Sequence, residues 1–207
     1  AAVGDWKIYM SYSEPQQIQE TGNYLFVQAS NSLYLYNKND QSIQTFDKTT
    51  GMSDVVVTYI SWNQKAKRLV VVYDNSNIDL IDLQGNVTNV PDLYNKSMTE
   101  DKTVNSIVNN DKYAYIATNF GGIKLNVSAA EISESYLLGQ SIKRFAVSGS
   151  TIYALNTQNK AISAPLYANL QDKANWTSVT TYPAVIFDED NSAYTNNIEL
   201  VKTLNPG

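Results

Sequence analysis

The sequence predicts an all-β fold, and composition is the first observation behind this prediction. The 207 residues include 15 tyrosines, and valine, isoleucine and threonine are abundant throughout. β-branched and aromatic side chains favour the pleated, half-buried surface of a sheet. Short apolar segments alternate with turns rich in asparagine, serine and glycine, and no long helical period interrupts them.

A repeat specifies the architecture further. Four segments share one order of four short strands separated by polar turns, and they cover residues 16–50, 55–90, 104–138 and 142–180. A spacing of about 40 to 50 residues with four strands per unit is typical of β-propeller blades. We therefore predict a β-propeller built of four-stranded antiparallel blades. A β-sandwich or barrel is the alternative, although neither needs to repeat one strand order at a fixed interval.

The two ends of the chain extend this pattern without completing it. Residues 6–12 fit an extra strand before the first blade. Residues 184–207 fit the start of a fifth blade, with an inner strand at 184–187 and another strand at 198–203. The domain prediction is one incomplete propeller of about four to five blades over residues 1–207. Because an incomplete ring exposes apolar blade faces, we expect a homodimer or higher oligomer.

Composition argues against several classes of function. The net charge is −5 and charged residues make up 17% of the chain, so we expect no nucleic-acid partner. No apolar segment approaches the ~20 residues that span a bilayer, so we expect no direct membrane insertion. The chain has no cysteine and no histidine, which removes disulfides, nucleophile–histidine pairs and metal sites built from these residues. We expect no cofactor.

Acidic residues form no pattern typical of a metal or catalytic site. Residues 188–191 (Asp-Glu-Asp-Asn) place carboxylates close together, but their spacing differs from that of a calcium-binding loop. Acidic residues between strands are ordinary turn formers. Paired carboxylates hydrolyse glycosides without histidine, but the 20 acidic residues here are scattered among turns. We predict no catalytic residue and no metal site, and a protein that is not an enzyme.

Several loop and strand segments resemble a known family. They are residues 51–54 (Gly-Met-Ser-Asp), 77–82 (Asn-Ile-Asp-Leu-Ile-Asp), 91–97, 136–139, 164–166 and 175–176. In this order they resemble the amino-terminal propeller of PorZ-like proteins of Bacteroidetes, accessory components of the type IX secretion system. The resemblance implies a secreted protein in the periplasm or at the outer-membrane surface of a Gram-negative bacterium. It also implies larger relatives with two seven-bladed propellers, of which this chain would represent roughly half of the first.

The leading functional hypothesis follows from this resemblance. It is a non-enzymatic binding and assembly module that offers a propeller face to a protein, or to a glycan such as lipopolysaccharide. Residues 120–123 (Phe-Gly-Gly-Ile) after 115–118 are similar to two-component regulator propeller repeats. This second likeness implies an alternative, the glycan-sensing propeller of a hybrid regulator. A carbohydrate-active propeller enzyme is the second alternative.

Candidate ligand-binding residues follow from the predicted fold. Propeller ligands usually meet the loops that lead into each blade and the turns between its two middle strands. Exposed aromatic rings stack on sugars, and amides add hydrogen bonds. These positions select Asn31, Asp74, Asn75, Tyr94, Asn95, Asn119, Phe120 and Asn159. Plain turn formation is the competing explanation for the asparagines.

Overall fold

The computed structural model describes residues 14–30 and 32–204, in which sixteen strands form four antiparallel sheets of four strands each. Every sheet is a meander in which neighbours in the sequence are neighbours in space. The predicted fold class, an all-β chain of propeller blades, is confirmed. The extra strand predicted at 6–12 and the candidate Asn31 lie outside the described residues.

The blades are numbered in chain order. Blade 1 contains β1 (Pro15–Thr21), β2 (Tyr24–Ala29), β3 (Ser32–Asn37) and β4 (Ile43–Phe46). Blade 2 contains β5 (Val57–Asn63), β6 (Arg68–Tyr73), β7 (Ile78–Ile81) and β8 (Val87–Val90). Blade 3 contains β9 (Val104–Asn110), β10 (Tyr113–Thr118), β11 (Gly121–Asn126) and β12 (Glu131–Leu137). Blade 4 contains β13 (Ile142–Ser148), β14 (Thr151–Asn156), β15 (Ala161–Pro165) and β16 (Thr177–Val179).

The described residues divide into two compact units, of which the first holds those between residues 14 and 89 together with residues 190–204. In this unit, blades 1 and 2 pack face to face around Phe26, Leu35, Ile60 and Trp62. The Phe26 and Trp62 rings stack with centroids 5.8 Å apart. Apolar side chains at alternate positions of the strands build this layer, as the twofold period of a strand requires.

The second unit covers Val90–Glu189 and contains the packed pair of blades 3 and 4. Aromatic rings lie at the centre of its core. Tyr136 lies edge-on to Phe145 at 6.4 Å and to Trp176 at 6.3 Å between centroids. Edge-to-face contacts of this kind add to the stabilisation from buried apolar area.

Side chains of one inner strand bind the backbone of the next. In the first unit, Gln17 of β1 accepts from the amide of Ile60 at 3.0 Å and donates to the carbonyl of Thr58 at 3.1 Å. The glutamine amide thus bonds β5 as a strand residue would. In the second unit, Asn105 of β9 donates to the carbonyl of Ile142 at 2.8 Å. Inner-strand polar groups are satisfied in this way without a further strand.

The predicted start of a fifth blade is wrong. Residues Ala184–Phe187 form a 3₁₀ helix, and Ser192–Lys202 form an α-helix, here called α2. Tyr194, Ile198 and Val201 are spaced by four and three residues, which places them on one face of a helix. A short apolar segment fits either period, and only its packing partner decides between helix and strand.

That packing partner is the outer face of blade 1, the face turned away from blade 2. Five of its residues are buried under α2: Ile18, Leu25, Val27, Tyr34 and Tyr36. The bare apolar face from which oligomerisation was predicted is therefore not present on blade 1, since a helix covers it. No helix within the described part of the chain combines the length and apolarity needed to cross a bilayer.

Candidate functional site

In blades 2, 3 and 4, two kinds of loop lie side by side at one end of the blade. The middle turn joins the second and third strands, and the interblade loop leads into the inner strand. In blade 2, the amide of Asp74 donates to the carbonyl of Val56 at 2.9 Å. In blade 3, the amide of Asn119 donates to the carbonyl of Thr103 at 3.1 Å. The same backbone bond therefore fixes the middle turn beside the interblade loop in both blades.

The candidate Asn75 belongs to a polar cluster in blade 2. Its Nδ2 donates to Oδ2 of Asp54 at 2.8 Å, and its Oδ1 accepts from the amide of Asn77 at 3.0 Å. The Nδ2 of Asn77 reaches the same Asp54 oxygen at 3.2 Å. Both ends of the Asn75 amide are engaged within the protein, whereas the candidate Asp74 next to it is exposed. Of these two candidates, Asp74 is the more exposed to solvent.

A buried carboxylate completes this cluster. Asp79 has 0% exposure. It accepts from the Ser53 amide at 2.7 Å, the Ser53 hydroxyl at 2.6 Å, the Tyr73 hydroxyl at 2.5 Å and the Asn89 amide group at 3.0 Å. These donors compensate the desolvation of a buried polar group. Burial and the bond to Asp79 raise the pKa of Tyr73. Ser53 and Asp79 belong to two segments that carry the family resemblance, so those segments meet in one hydrogen-bonded cluster.

The candidate Asn119 has a corresponding role in blade 3. Its Nδ2 donates to Oδ2 of Asp101 in the interblade loop at 2.7 Å. Its Oδ1 accepts from Asn105 at 2.9 Å and from the Ser141 hydroxyl at 2.7 Å. Hydrogen bonds from Asn119 and Thr103 hold the pKa of the Asp101 carboxyl below its ordinary value. Asn119 is thus a structural tie between loop and turn.

The prediction that Phe120 stacks on a ligand is wrong. Its side chain is 3% exposed and lies in the core. Burial of a large aromatic ring is strongly favourable. A position in a turn does not determine whether the side chain points into the core or into solvent. Gly121 follows with φ 139°, and a Cβ added there would lie 2.1 Å from the carbonyl oxygen of Tyr136.

The interblade loop before blade 3, residues 91–103, is held by one lysine. It carries a short helix, α1 (Asp92–Asn95). The Lys102 ammonium donates to three carbonyl oxygens of this loop, those of Leu93 at 3.0 Å, Tyr94 at 2.8 Å and Lys96 at 2.9 Å. Carbonyls at a helix end lack partners within the helix, so a cation placed there stabilises the loop. The candidates Tyr94 and Asn95 are presented at the surface, with Tyr94 47% exposed.

A groove of about 410 Å³ lies between α1 and β12, the outer edge strand of blade 3. Its walls are Asp92, Asn95, Lys96, Ile132, Ser133, Glu134, Ser135 and Gln171. Carboxylates, amides, hydroxyls and an ammonium group offer donors and acceptors of both kinds. Sequence reasoning found Asn95 but missed Glu134 and Gln171, which lie outside the loops that the propeller rule selects. β12 has seven residues, against three or four in the other outer strands, and the sequence pattern did not reveal this difference.

The remaining candidate is explained by turn geometry. Asn159 has φ 61°, and its amide donates to the carbonyl of Asn156 at 3.0 Å in the middle turn of blade 4. Asparagine tolerates this left-handed conformation better than most residues. Its side chain is exposed.

The acidic segment 188–191 contacts other groups of the protein. Asp190 accepts from the amide of Ser192 at 3.0 Å, and Glu189 forms an ion pair with Arg144 at 3.6 Å. Among residues 14–30 and 32–204, no group of three or more acidic, histidine or cysteine side chains is placed to hold a metal ion. The geometry in the described residues supports binding by hydrogen bonds and an exposed aromatic ring.

The family of the chain follows from comparison with known proteins. The model of the amino-terminal β-propeller domain of PorZ, of the type IX secretion system, matches residues 25–177. This chain belongs to that family. The resemblance predicted from the sequence is confirmed, and the Ser53–Asp79 cluster and the interblade loop at 91–103 both lie within the matched region. A search of curated proteins gives no match.

Solved structures agree with this assignment. PorZ of Porphyromonas gingivalis, described as an essential bacterial surface component of the type IX secretion system, gives a TM-score of 0.74 at 31% identity, over 81% of this chain and 22% of PorZ. AztD of Citrobacter koseri gives 0.60 at 14% identity, over 80% of this chain and 46% of AztD. The extracellular domain of BT4673 of B. thetaiotaomicron, described as a hybrid two component system, gives 0.61 at 20% identity, over 87% and 24% of the two chains. The last two likenesses concern the fold alone.

Proposed function

We propose that this PorZ-type propeller is a non-enzymatic binding and assembly module of a secretion-system component at the cell envelope. Membership of the PorZ family supports this role. The chain spans 22% of the PorZ chain, so the activity and partners of a whole PorZ are carried over here as part of the proposal. The missing histidine and cysteine favour binding over catalysis.

The interblade loop at 91–103 carries the proposal structurally. Lys102 fixes its backbone, so Tyr94 and Asn95 are presented without a large loss of conformational freedom when a partner binds. The groove beside them adds hydrogen-bonding groups of both kinds. Such a surface suits a protein loop or a glycan, including the saccharide of a lipopolysaccharide.

Measuring the export of type IX cargo in a bacterium that carries the gene for this protein tests this proposal. We expect deletion of the gene to trap type IX cargo inside the cell, and the wild-type gene to restore export. A gene with Tyr94→Ala and Asn95→Ala should give normal protein levels but poor export. Tyr167→Ala is the matched control, since Tyr167 is 88% exposed and lies outside this loop.

Two results would contradict different parts of the proposal. Full export after deletion of the gene would show that the protein has no role in secretion. Full export by the double variant, with loss of export on deletion, would keep the secretion role and reject this loop as the binding surface.

A further inference from the structure

Strand β12 is the outer edge of blade 3. It pairs with β11 on one side, and within residues 14–30 and 32–204 no strand pairs with it on the other. It has seven residues, against three or four in the other outer strands. The backbone groups of an unpaired edge are a template for a further strand. Among the four outer strands, β12 therefore offers the longest such template.

The strand register shows which backbone groups of β12 point outward. The Leu138 amide donates to the carbonyl of the residue just before β11 at 3.1 Å. Hydrogen-bonded and non-hydrogen-bonded pairs alternate along an antiparallel ladder. The register is regular over residues 134–137, so Tyr136 and Glu134 also bond β11. Ser135 and Leu137 lie between them and direct their N–H and C=O groups away from β11.

The groove between α1 and β12 follows this edge. Residues 132–135 form its wall on β12, and the other walls come from residues 92, 95, 96 and 171. These side chains are charged, amide, hydroxyl or aliphatic. A site for a glycan usually offers an aromatic ring for stacking, whereas peptide side chains fit a groove with mixed walls of this kind. Leu137, which is 51% exposed, adds an apolar contact beyond the groove. The groove thus favours a peptide.

The charges near the groove restrict the sequence of that peptide. Asp92 on the groove wall and Glu131 at the start of β12 are exposed, and neither forms an ion pair with a described residue. Glu134 is already paired with Lys124 at 3.5 Å. Lys96 supplies an ammonium group on the groove wall. Two unpaired carboxylates against one ammonium group favour a segment that carries lysine or arginine.

We propose that β12 docks an extended, basic segment of a partner protein, which adds a fifth strand to blade 3. Ser135 and Leu137 bond the backbone of this segment, and its basic side chain faces Asp92 and Glu131. Main-chain bonds of this kind supply affinity, and the groove supplies specificity. The inference rests on the proposed binding function and specifies the class of partner.

Two substitutions of one residue isolate the backbone contact. Ser135→Pro removes an outward N–H, and proline is tolerated in an edge strand where the N–H faces solvent. Ser135→Ala removes the hydroxyl as well but retains the N–H, so it is the matched control. The probe is a synthetic peptide of alternating valine and threonine with a lysine at each end. Amide hydrogen exchange on purified, isotope-labelled protein is followed by NMR.

We expect the lysine peptide, at up to about 1 mM, to slow exchange of the Ser135 and Leu137 amides by about tenfold. Ser135→Ala should bind it as wild type does, and Ser135→Pro should bind it at least about tenfold more weakly. The same peptide with N-methylated backbone amides should not bind. Replacing its lysines by glutamates should weaken binding by roughly tenfold.

Several results would overturn the proposal. One is fast exchange of both amides in wild-type protein with the lysine peptide, a result that does not require the proline variant to fold. Others are equal binding of the N-methylated peptide, and equal affinity of folded Ser135→Pro and Ser135→Ala. Binding of a lipopolysaccharide-derived polysaccharide in the groove, without protection of these amides, would assign the groove to a glycan instead. A failed peptide assay with loss of export on gene deletion would reject strand addition and keep the secretion role.

Discussion

The interblade loops before blades 2 and 3 share one type of hydrogen bond to the middle turn but differ in what they expose. In each, an aspartate of the loop accepts from an asparagine of the middle turn: Asp54 from Asn75 at 2.8 Å, and Asp101 from Asn119 at 2.7 Å. The first loop, residues 47–56, is then closed against buried Asp79.

The second loop, residues 91–103, has a different support. Lys102 caps its helix from within, and the loop leaves Tyr94 and Asn95 exposed. The same blade pattern therefore gives a loop closed by hydrogen bonds before blade 2 and a loop with exposed side chains before blade 3. The supporting charge distinguishes the two: the first loop is bonded to buried Asp79 of β7, whereas the second is held by its own Lys102.

The largest expected effect concerns the middle turn that holds Asn119. Gly121→Val should destabilise the protein by more than about 4 kcal/mol or prevent folding. The added Cβ would lie 2.1 Å from the carbonyl oxygen of Tyr136, and residue 121 has φ 139°, which a side chain rarely adopts. Gly22→Ala is the control, with no heavy atom within 4 Å and only the strain of φ 54°. Its loss should be about 1 kcal/mol. Equal urea midpoints for the two variants would show that this turn is not sterically fixed.

The buried carboxylate gives the next largest effect. Asp79→Ala leaves the donors of Ser53, Tyr73 and Asn89 without an acceptor, so we expect a loss of about 3 kcal/mol in the free energy of unfolding. Asp74→Ala, on the exposed middle turn of the same blade, should change it by less than about 0.5 kcal/mol. Urea unfolding measures both. A loss at Asp79 no larger than that at Asp74 would remove the structural role assigned to the first loop.

Lys102 tests the support of the second loop. Lys102→Met retains the length of the side chain but leaves three carbonyls without their cation, so the loss should be about 1–2 kcal/mol. Hydrogen exchange of the Asn95 and Lys96 amides should become faster. The exposed Lys65→Met is the control. Unchanged exchange in this segment would show that Lys102 does not hold the loop.

Two buried tyrosines should respond differently to loss of the hydroxyl. The Tyr73 hydroxyl bonds Asp79, so Tyr73→Phe should lose about 1 kcal/mol. The Tyr136 hydroxyl is buried with no hydrogen-bond partner among the described residues, so Tyr136→Phe should be neutral or stabilising by up to about 1 kcal/mol. Thermal unfolding compares them. A larger loss at Tyr136 would indicate a partner such as a buried water.

The smallest effect is a dependence on pH. Hydrogen bonds from Asn119 and Thr103 lower the pKa of Asp101 in the folded state. Its ionised form therefore contributes stability above the ordinary aspartate pKa, and this contribution is lost as pH falls through the folded value. We expect Asn119→Ala to reduce the loss of stability between about pH 5 and pH 2. Parallel stability curves for variant and wild type would contradict this assignment.

The blades were predictable because their signals are local. Alternating apolar residues and polar turns specify each hairpin within about ten residues of sequence. The state of α2 was not predictable in this way. Its apolar residues fit a short strand or a helix, and the choice depends on blade 1, which lies more than a hundred residues earlier in the chain.

The positions of the candidate residues in the turns were predictable, but whether their side chains are free to bind a ligand was not. Asn75 and Asn119 lie in middle turns, as predicted, yet their amides bind Asp54 and Asp101, which are 21 and 18 residues away in sequence. Sequence alone does not supply those partners. Phe120 shows the same limit, since its turn position says nothing of its buried ring.

Photo-crosslinking in living cells tests the central claim, that the loop at 91–103 displays a binding surface while the loop at 47–56 is structural. A photoreactive amino acid is placed at Tyr94 in one strain and at Asn75, which is tied to Asp54, in another. The account predicts a discrete partner adduct from position 94 and none from position 75. An adduct from position 75 with none from position 94 would contradict it.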